Sequence, residues 1–220
     1  MLDVNLEYAR LQMVDQQVRG WEVLDPAVCE VMERLPRDRF VPERYRNLAY
    51  ADSEIPIGHG QVMLRPSMQG RLLQELRIRE GQRVLEVGTG TGYLSACLAA
   101  LGADVHSAEI HADLAQGARH TLAAEGVDRV EVAEEDLHTL AAEGPQYDAI
   151  LVTGSLPERD RSFPRRLAVG GRLLWVIGSE PVMLTELVTR VDEDEWGHEG
   201  LFETVIPPLE GARPVRRFEL

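Results

Sequence analysis

The sequence predicts an α/β fold, a three-layer sandwich built on a mostly parallel sheet with an antiparallel C-terminal edge and an N-terminal helical addition. Three observations carry this. The apolar run Val84 to Val87, interrupted only by Glu86, meets Gly88, Gly90 and Gly92, and apolar residues then return at helical spacing with Leu94, Cys97, Leu98 and Leu101. That is the pattern of strand, tight loop and helix. Strand-like and helical runs continue to alternate as far as Gly178, as parallel crossovers require. Two β-rich stretches then follow with no helix between them, which places a hairpin at the sheet edge. With 220 residues the chain is read as one domain, 1–220. Its parts are an N-terminal helical and loop region (1–67), a central core (68–180) and a C-terminal hairpin with a last strand (181–220).

Each element has its own signal. Leu11, Val14 and Val18 lie at i, i+3 and i+7 among Arg, Gln and Asp, an amphipathic helix over residues 4–20 ending near Gly20. Asp25 caps a second helix that has Pro26 at its first position and Val28, Cys29, Val31, Met32 and Leu35 on its buried face. Between Ile55 and Met68, two prolines and the glycines that flank His59 predict an irregular, shaped loop. A helix resumes from Met68, with Leu72, Leu73 and Leu76 inward. Ala103 to Ile110 is a strand with Glu109 at its end, His111 to about Glu125 a helix, and Val130 to Val132 a strand leading into Glu134, Glu135 and Asp136. Tyr147 to Thr153 and Gly170 to Gly178 are further strands, and Pro164 breaks any long helix over 157–168. Val182 to Val191 and Leu201 to Ile206 form the hairpin, joined by the acidic segment Asp192 to Gly200, and Val215 to Phe218 is a terminal strand.

Composition narrows the function. The chain carries 23 basic and 37 acidic residues, a net charge of −14 that repels phosphate backbones and argues against nucleic acid as a partner. No stretch approaches the roughly 20 apolar residues of a membrane span, and Met1 to Arg10 has no apolar centre like that of a signal peptide. A cytoplasmic monomer is the expectation. Cys29 and Cys97 fall on apolar helical faces and read as buried thiols, and the six histidines show no metal-ligand spacing, so no metal is expected.

The glycine loop is where a ligand belongs. Glycines tolerate positive φ, let a ligand approach the backbone, and place N–H groups at a helix start. About 20 residues on, Glu109 ends the next strand, where an acid accepts hydrogen bonds from ribose hydroxyls. The spacing here is G-x-G-x-G, with Tyr93 where a dinucleotide loop has its third glycine. The string E-V-G-T-G-T-G-Y (Glu86 to Tyr93) resembles motif I of the class I S-adenosylmethionine-dependent methyltransferases, which have a Rossmann-like fold. The resemblance implies S-adenosyl-L-methionine as cofactor, held by Gln61, Glu86, Gly88, Thr89, Gly90, Tyr93, Glu109, Ile110, Asp136, Leu137 and Thr153. Asp136 is placed to accept from the exocyclic amine of adenine.

A narrower resemblance covers most of the chain. M-V-D-Q-Q-V-R (Met13 to Arg19), L-P-R-D-R-F-V-P (Leu35 to Pro42), Y-R-N-L-A-Y-A-D (Tyr45 to Asp52), I-P-I-G-H-G-Q (Ile55 to Gln61), motif I and the Pro208-Leu209 pair resemble the protein-L-isoaspartate O-methyltransferases. The family methylates the α-carboxylate of L-isoaspartyl residues in damaged proteins, which implies a peptide or protein carboxylate as acceptor. This chain departs after Gln61. Where the family typically reads T-I-S-x-P-H-M, it reads Val62-Met63-Leu64-Arg65-Pro66-Ser67-Met68. The family's active-site serine falls on Leu64, its threonine on Val62 and its histidine on Ser67. Arg65, whose guanidinium can bind a carboxylate bidentately, and His59, between its two glycines, are the candidate catalytic residues. An apolar Val62 and Leu64 also fit a methyltransferase with a different acceptor, or a protein that binds the cofactor without turnover and acts through a partner.

Overall fold

The fold is taken from a computed structural model that describes residues 5–136, 140 and 144–212. Leu137 and the expected strand Val215 to Phe218 lie outside the described residues. The chain enters through α1 (Leu6–Gln12) and α2 (Pro26–Arg34), then the short hairpin β1 (Ile55–Gly58) and β2 (Gln61–Met63), and α3 (Pro66–Leu76). The core follows as β3 (Arg83–Val87), α4 (Tyr93–Ala100), β4 (Asp104–Glu109), α5 (Ala112–Ala124) and β5 (Val130–Glu134). Next come β6 (Tyr147–Leu156), α6 (Ser162–Arg165), β7 (Leu167–Ser179), β8 (Val182–Asp192) and β9 (Glu195–Thr204).

Seven strands form one sheet in the order β5-β4-β3-β6-β7-β8-β9. The first five are parallel to their neighbours, and β8 and β9 close the edge antiparallel. This is the predicted architecture. Parallel strands buried on both faces need unbroken apolar runs, and Ala149, Ile150, Leu151 and Val152 on β6 supply one, all at most 1% exposed. One apolar cluster joins the sheet to α2, α3 and α4, and a second packs Leu85, Ile150, Phe163 and Trp175 together on the other side.

Four expectations are corrected. The N-terminal helix does not run evenly over 4–20: α1 passes into a wide π-helical stretch, Met13–Val18, and a 3-10 turn, Arg19–Trp21. The wider turn swings the buried face to Met13, Val14 and Val18 and leaves Leu11 44% exposed. Residues 55–63 are an ordered hairpin in place of an irregular loop, turning at His59 and Gly60, both with positive φ. The acidic segment after Asp192 is largely strand: β9 begins at Glu195, and its acids face solvent at the sheet edge, where no alternation of apolar residues announces a strand. The strands β6 and β7 also run beyond their expected limits.

Two charged residues on the turn after α2 fix the chain on either side of the hairpin, Arg37 at its end and Asp38 on the segment that leads into it. Arg37 is fully buried, donates through Nη2 to the Leu64 carbonyl at 2.7 Å and sets Nη1 2.9 Å from Met63 Sδ. Burial pulls its pKa down to about 10. Asp38 accepts from Tyr50 Oη at 2.6 Å and from Arg46 Nη2 at 2.9 Å. Burial alone would raise the Asp38 carboxyl; the hydrogen bonds from Tyr50 and Arg46 outweigh it and hold it below the ordinary carboxylate range. Among the described residues no group of three or more His, Cys, Asp or Glu is arranged to hold a metal, and no helix is long and apolar enough to cross a membrane. Replacing Asp38 leaves the Tyr50 hydroxyl without its partner. Asp38→Ala is expected to lower the unfolding free energy by about 1–3 kcal/mol, and Tyr50→Phe by less, as read from urea denaturation at neutral pH.

Candidate active site

The carboxyl ends of β3, β4 and β6 open into a cleft roofed by the β1–β2 hairpin and by residues 207–210. Gly88 sits at φ +95°, and a Cβ there would lie 2.3 Å from Thr153 Oγ1. That hydroxyl donates back to the carbonyls of Val87 and Gly88, at 2.9 and 2.7 Å. Gly90, at φ +52°, donates its N–H to Glu109 Oε2 at 2.8 Å, and the His111 N–H donates to Oε1 at 3.1 Å. Both carboxylate oxygens are thus oriented by backbone and keep lone pairs for a ligand in the cleft. The roof is stitched to β6 by Ser155 N–H to Pro207 O at 3.0 Å and Leu209 N–H to Ser155 O at 2.9 Å. Gln61 Nε2 adds a bond to Pro208 O at 3.2 Å.

Of the residues expected to hold the cofactor, Gln61, Gly88, Gly90, Glu109, Ile110 and Thr153 do line this cleft. Glu86, Thr89 and Tyr93 are brought elsewhere. Glu86 is fully buried and accepts from Ser95 Oγ and, at 2.6 Å, from Ser107 Oγ; Thr89 Oγ1 lies 2.6 Å from the same Ser107 oxygen. The reason is strand phase. Its neighbour Val87 contributes to the cleft, so Glu86 must fall on the opposite side, against α4. Tyr93 starts α4 with its ring 5.5 Å from Phe40, edge on, and beneath the Arg37 guanidinium. It is a core residue of the N-terminal side. Asp136 follows Glu135, which does line the cleft, and Leu137 lies outside the described residues.

The two catalytic candidates also separate. Arg65 precedes α3 and stacks its guanidinium 4.3 Å over the Trp21 ring, beside Glu54 and Glu203 in a different surface depression. It is not brought to the cleft, because the chain leaves β2 at Met63 with Leu64 held inward and turns into α3 at Pro66. His59 does reach the rim. Its Nε2 meets Asp113 at 2.9 Å, and its ring stacks on His111 at 3.7 Å with the planes 12° apart. The His59 hydrogen bond holds the Asp113 carboxyl below its ordinary range. His111 Nε2 lies 3.0 Å from Glu210 Oε2, an ion-pair distance whose direction misses a hydrogen bond. Reading the sequence alone missed Ile57, His111, Leu114 and Glu210 on the cleft wall. His111 carried a usable signal, standing two places beyond the acid Glu109.

The Gly88 cradle, which a side chain would fill, the oriented Glu109 carboxylate and the apolar Ile57, Ile110 and Leu114 fit a nucleoside-bearing cofactor. Gly88→Ala combines a strained φ with a clash on Thr153. It is expected to weaken S-adenosyl-L-methionine binding at least tenfold by calorimetry, and Glu109→Ala by about ten- to a hundredfold, since a bond to a charged group contributes about 1.5–3 kcal/mol. The buried Glu86 gives a separate prediction. Burial lifts its pKa from 4.5 to about 7, so the folded chain keeps a proton that the unfolded chain has released. Its contribution to stability therefore falls as pH rises through that window, in total by on the order of 3 kcal/mol. The stability difference between Glu86→Gln and the natural chain, measured by urea denaturation from pH 4.5 to 8, should shift in the variant's favour by that order.

Comparison with known proteins agrees with this geometry. Residues 10–210 match the family model "Protein-L-isoaspartate(D-aspartate) O-methyltransferase (PCMT)". The chain is 38% identical over 203 residues to protein-L-isoaspartate O-methyltransferase 1 of Rhodopseudomonas palustris, covering 92% of this chain and 83% of that one. It is 39% identical over 204 residues to the protein-L-isoaspartate O-methyltransferase of Methanoculleus marisnigri, covering 92% and 88%. Among solved structures, a Plasmodium falciparum chain described as a protein-L-isoaspartate O-methyltransferase in complex with S-adenosyl-L-homocysteine superposes with a TM-score of 0.79. At 20% identity, over 91% of this chain and 98% of that one, it supports the fold. The chain belongs to the protein-L-isoaspartate(D-aspartate) O-methyltransferase family.

Proposed function

We propose that the protein is an S-adenosyl-L-methionine-dependent carboxyl O-methyltransferase that methylates the α-carboxylate of L-isoaspartyl residues in damaged proteins, the opening step of their repair. The observation that carries this is the cleft itself: a backbone-oriented Glu109 facing a side-chain-free Gly88, opening past Gln61 into a second groove. Glu109 would hold the ribose, the Gly88 to Gly90 backbone would take the methionyl end, Ile110 would cover the adenine, and Asp136 would complete the adenine site. When bound, the cofactor supplies an electrophilic methyl group on a sulfonium.

The acceptor is ionised at neutral pH, so no residue has to remove a proton from it. What the chain must do is place the carboxylate and strip its water. The second groove supplies the surface for this, with Ser155, Ser179, Met183 and Leu209 in its walls. Ser155 Oγ donates to Ile206 O at 3.2 Å and Thr153 Oγ1 to the glycine loop, so both hydroxyl protons are engaged. Val62 brings an apolar wall to the cleft, and Leu64 is buried in the core at 4% exposure. His59 acts as a positioning residue, tying the hairpin tip to α5 through Asp113.

The apolar wall at Val62 favours one further reading, in which the cofactor site is kept and the acceptor is another carboxylate or a less polar group. Methyl transfer from tritiated cofactor to an L-isoaspartyl peptide, beside its normal aspartyl twin, decides between the two. Base-labile counts with the isoaspartyl peptide alone support repair chemistry. No counts with either peptide, despite calorimetric cofactor binding, refute it. Val62→Thr returns a hydroxyl to the cleft wall and is expected to raise kcat/KM by up to about tenfold, the worth of one hydrogen bond. Leu64→Ser is expected to lower stability by about 2–5 kcal/mol, as for a truncated core leucine.

A further inference from the structure

The cofactor cleft does not end at Gln61. Gln61, Leu209 and Glu210 are shared with the second groove, and that groove shares Pro157 with a third, which runs under α6 toward β9. The three depressions are therefore neighbours, the second lying between the other two. The third has a charge unlike the rest of the molecule. Arg159, Arg161, Arg165 and His198 line it together with Trp196, and Glu158 is the acid in its lining. This is on a chain with a net charge of −14.

The three arginines are not equivalent. Arg159 is committed: its Nη2 and Nε donate to Glu186 at 2.6 and 2.9 Å, and Glu186, 3% exposed, also accepts from Trp175 Nε1 at 2.8 Å. Burial would raise the Glu186 carboxyl, but the bonds from Arg159 and Trp175 hold it down, and His198 Nδ1 lies 3.5 Å from the same carboxylate, so Arg159 and His198 are both engaged with it. Arg161 and Arg165 are exposed and have no carboxylate partner among the described residues. The nearby Asp160 turns back onto Ser162, accepting from its N–H at 2.9 Å and its hydroxyl at 2.6 Å. Trp196 is fixed by its Nε1 bond to Pro164 O at 2.9 Å and presents a half-buried ring to the groove.

We propose that this Arg161–Arg165–Trp196 groove binds acidic side chains of the acceptor polypeptide that flank the methylated residue, so that the protein selects damaged sites in acidic sequence. The inference rests on the function proposed above. An acceptor that is a polypeptide needs room for chain on either side of its carboxylate, and the neighbouring grooves supply it. From Gly154, which lines the cofactor cleft, to Arg161 is seven residues, at most about 25 Å of extended chain, so acceptor side chains up to about seven positions from the reacting one come within reach. The intervening groove carries Glu180 and Glu210. The attraction is therefore confined to the far end: acids several positions away help, and acids next to the reacting residue do not.

The test uses pairs of isoaspartyl peptides identical except for Glu or Lys at positions three to seven from the isoaspartyl residue, placed on each side in turn. The natural chain is expected to take the glutamate peptide with a KM about three- to tenfold lower, a range fitting two exposed ion pairs. The kcat should be unchanged and the preference should fade at high salt. Arg161→Glu with Arg165→Glu, both exposed and outside the cofactor cleft, should abolish or reverse the preference; Gln at both should flatten it. Equal KM for the two peptides, or a preference that persists in both double variants, overturns the inference while leaving isoaspartyl methylation standing. Fluorescence anisotropy with the same labelled peptides separates the two ideas. Arginine-dependent binding without methyl transfer refutes the function and retains the groove.

Discussion

The cleft depends on one close approach, that of Gly88 to Thr153. The loop leaves β3 with φ values of +95°, +52° and +83° at its three glycines, a path costing an L side chain roughly 1–2 kcal/mol per residue. Thr153 fills the space a Cβ would take and spends its hydroxyl proton on the Val87 and Gly88 carbonyls. The β3 end is thereby fastened to β6, and the Gly88 and Thr89 N–H groups, donating to Ala108 O at 2.8 and 3.2 Å, fasten it to β4 as well. Glu109 closes the other side by accepting from Gly90. Neighbouring strand ends thus hold the loop in shape, and binding a cofactor there costs little ordering.

The roof has its own support, and it comes from polar groups in unusual places. A fully buried Arg37 holds the Leu64 carbonyl, and Asp38 gathers Tyr50 and Arg46. Without these bonds the hairpin would rest on two short strands, a unit marginal by itself. A buried guanidinium is expensive to desolvate, and burial accordingly pulls the Arg37 pKa down to about 10. The Tyr93 ring under the guanidinium returns part of that cost through a cation–π contact. So the residue that motif spacing assigns to the cofactor instead serves the wall above it.

What the sequence made legible was backbone. Glycine spacing located the loop, the acid about one crossover later located the facing wall of the cleft, and alternating periodicity gave the sheet with its antiparallel edge. Side-chain direction was less legible, since it depends on strand phase: Val87 lines the cleft and Glu86 faces Ser95 and Ser107. Arg65 failed for a related reason. Proximity in sequence to the departed serine position says nothing about which way the chain turns, and it turns into α3 and onto Trp21. The π-helical stretch and β9 were hidden because a widened turn and a polar edge strand leave no periodic apolar signal. Segment 207–210 reaches the cleft only through tertiary pairing with β6, which periodicity cannot reveal.

The departures at Val62 and Leu64 can be weighed from the chemistry of the proposed reaction. A hydroxyl that donates to a carboxylate stabilises it most while the charge is whole, before the oxygen shares its electrons with the incoming methyl group. Such a donor binds the ground state at least as well as the transition state, and losing it weighs on KM more than on kcat. The deficit is about 1–3 kcal/mol for each polar group left without a partner, and contacts elsewhere on a long acceptor can offset it. A polypeptide acceptor offers many such contacts, whereas a small carboxylate offers few. The apolar wall at Val62 is therefore compatible with methylation of a protein chain that draws its affinity from the neighbouring grooves, and less so with a small free acid.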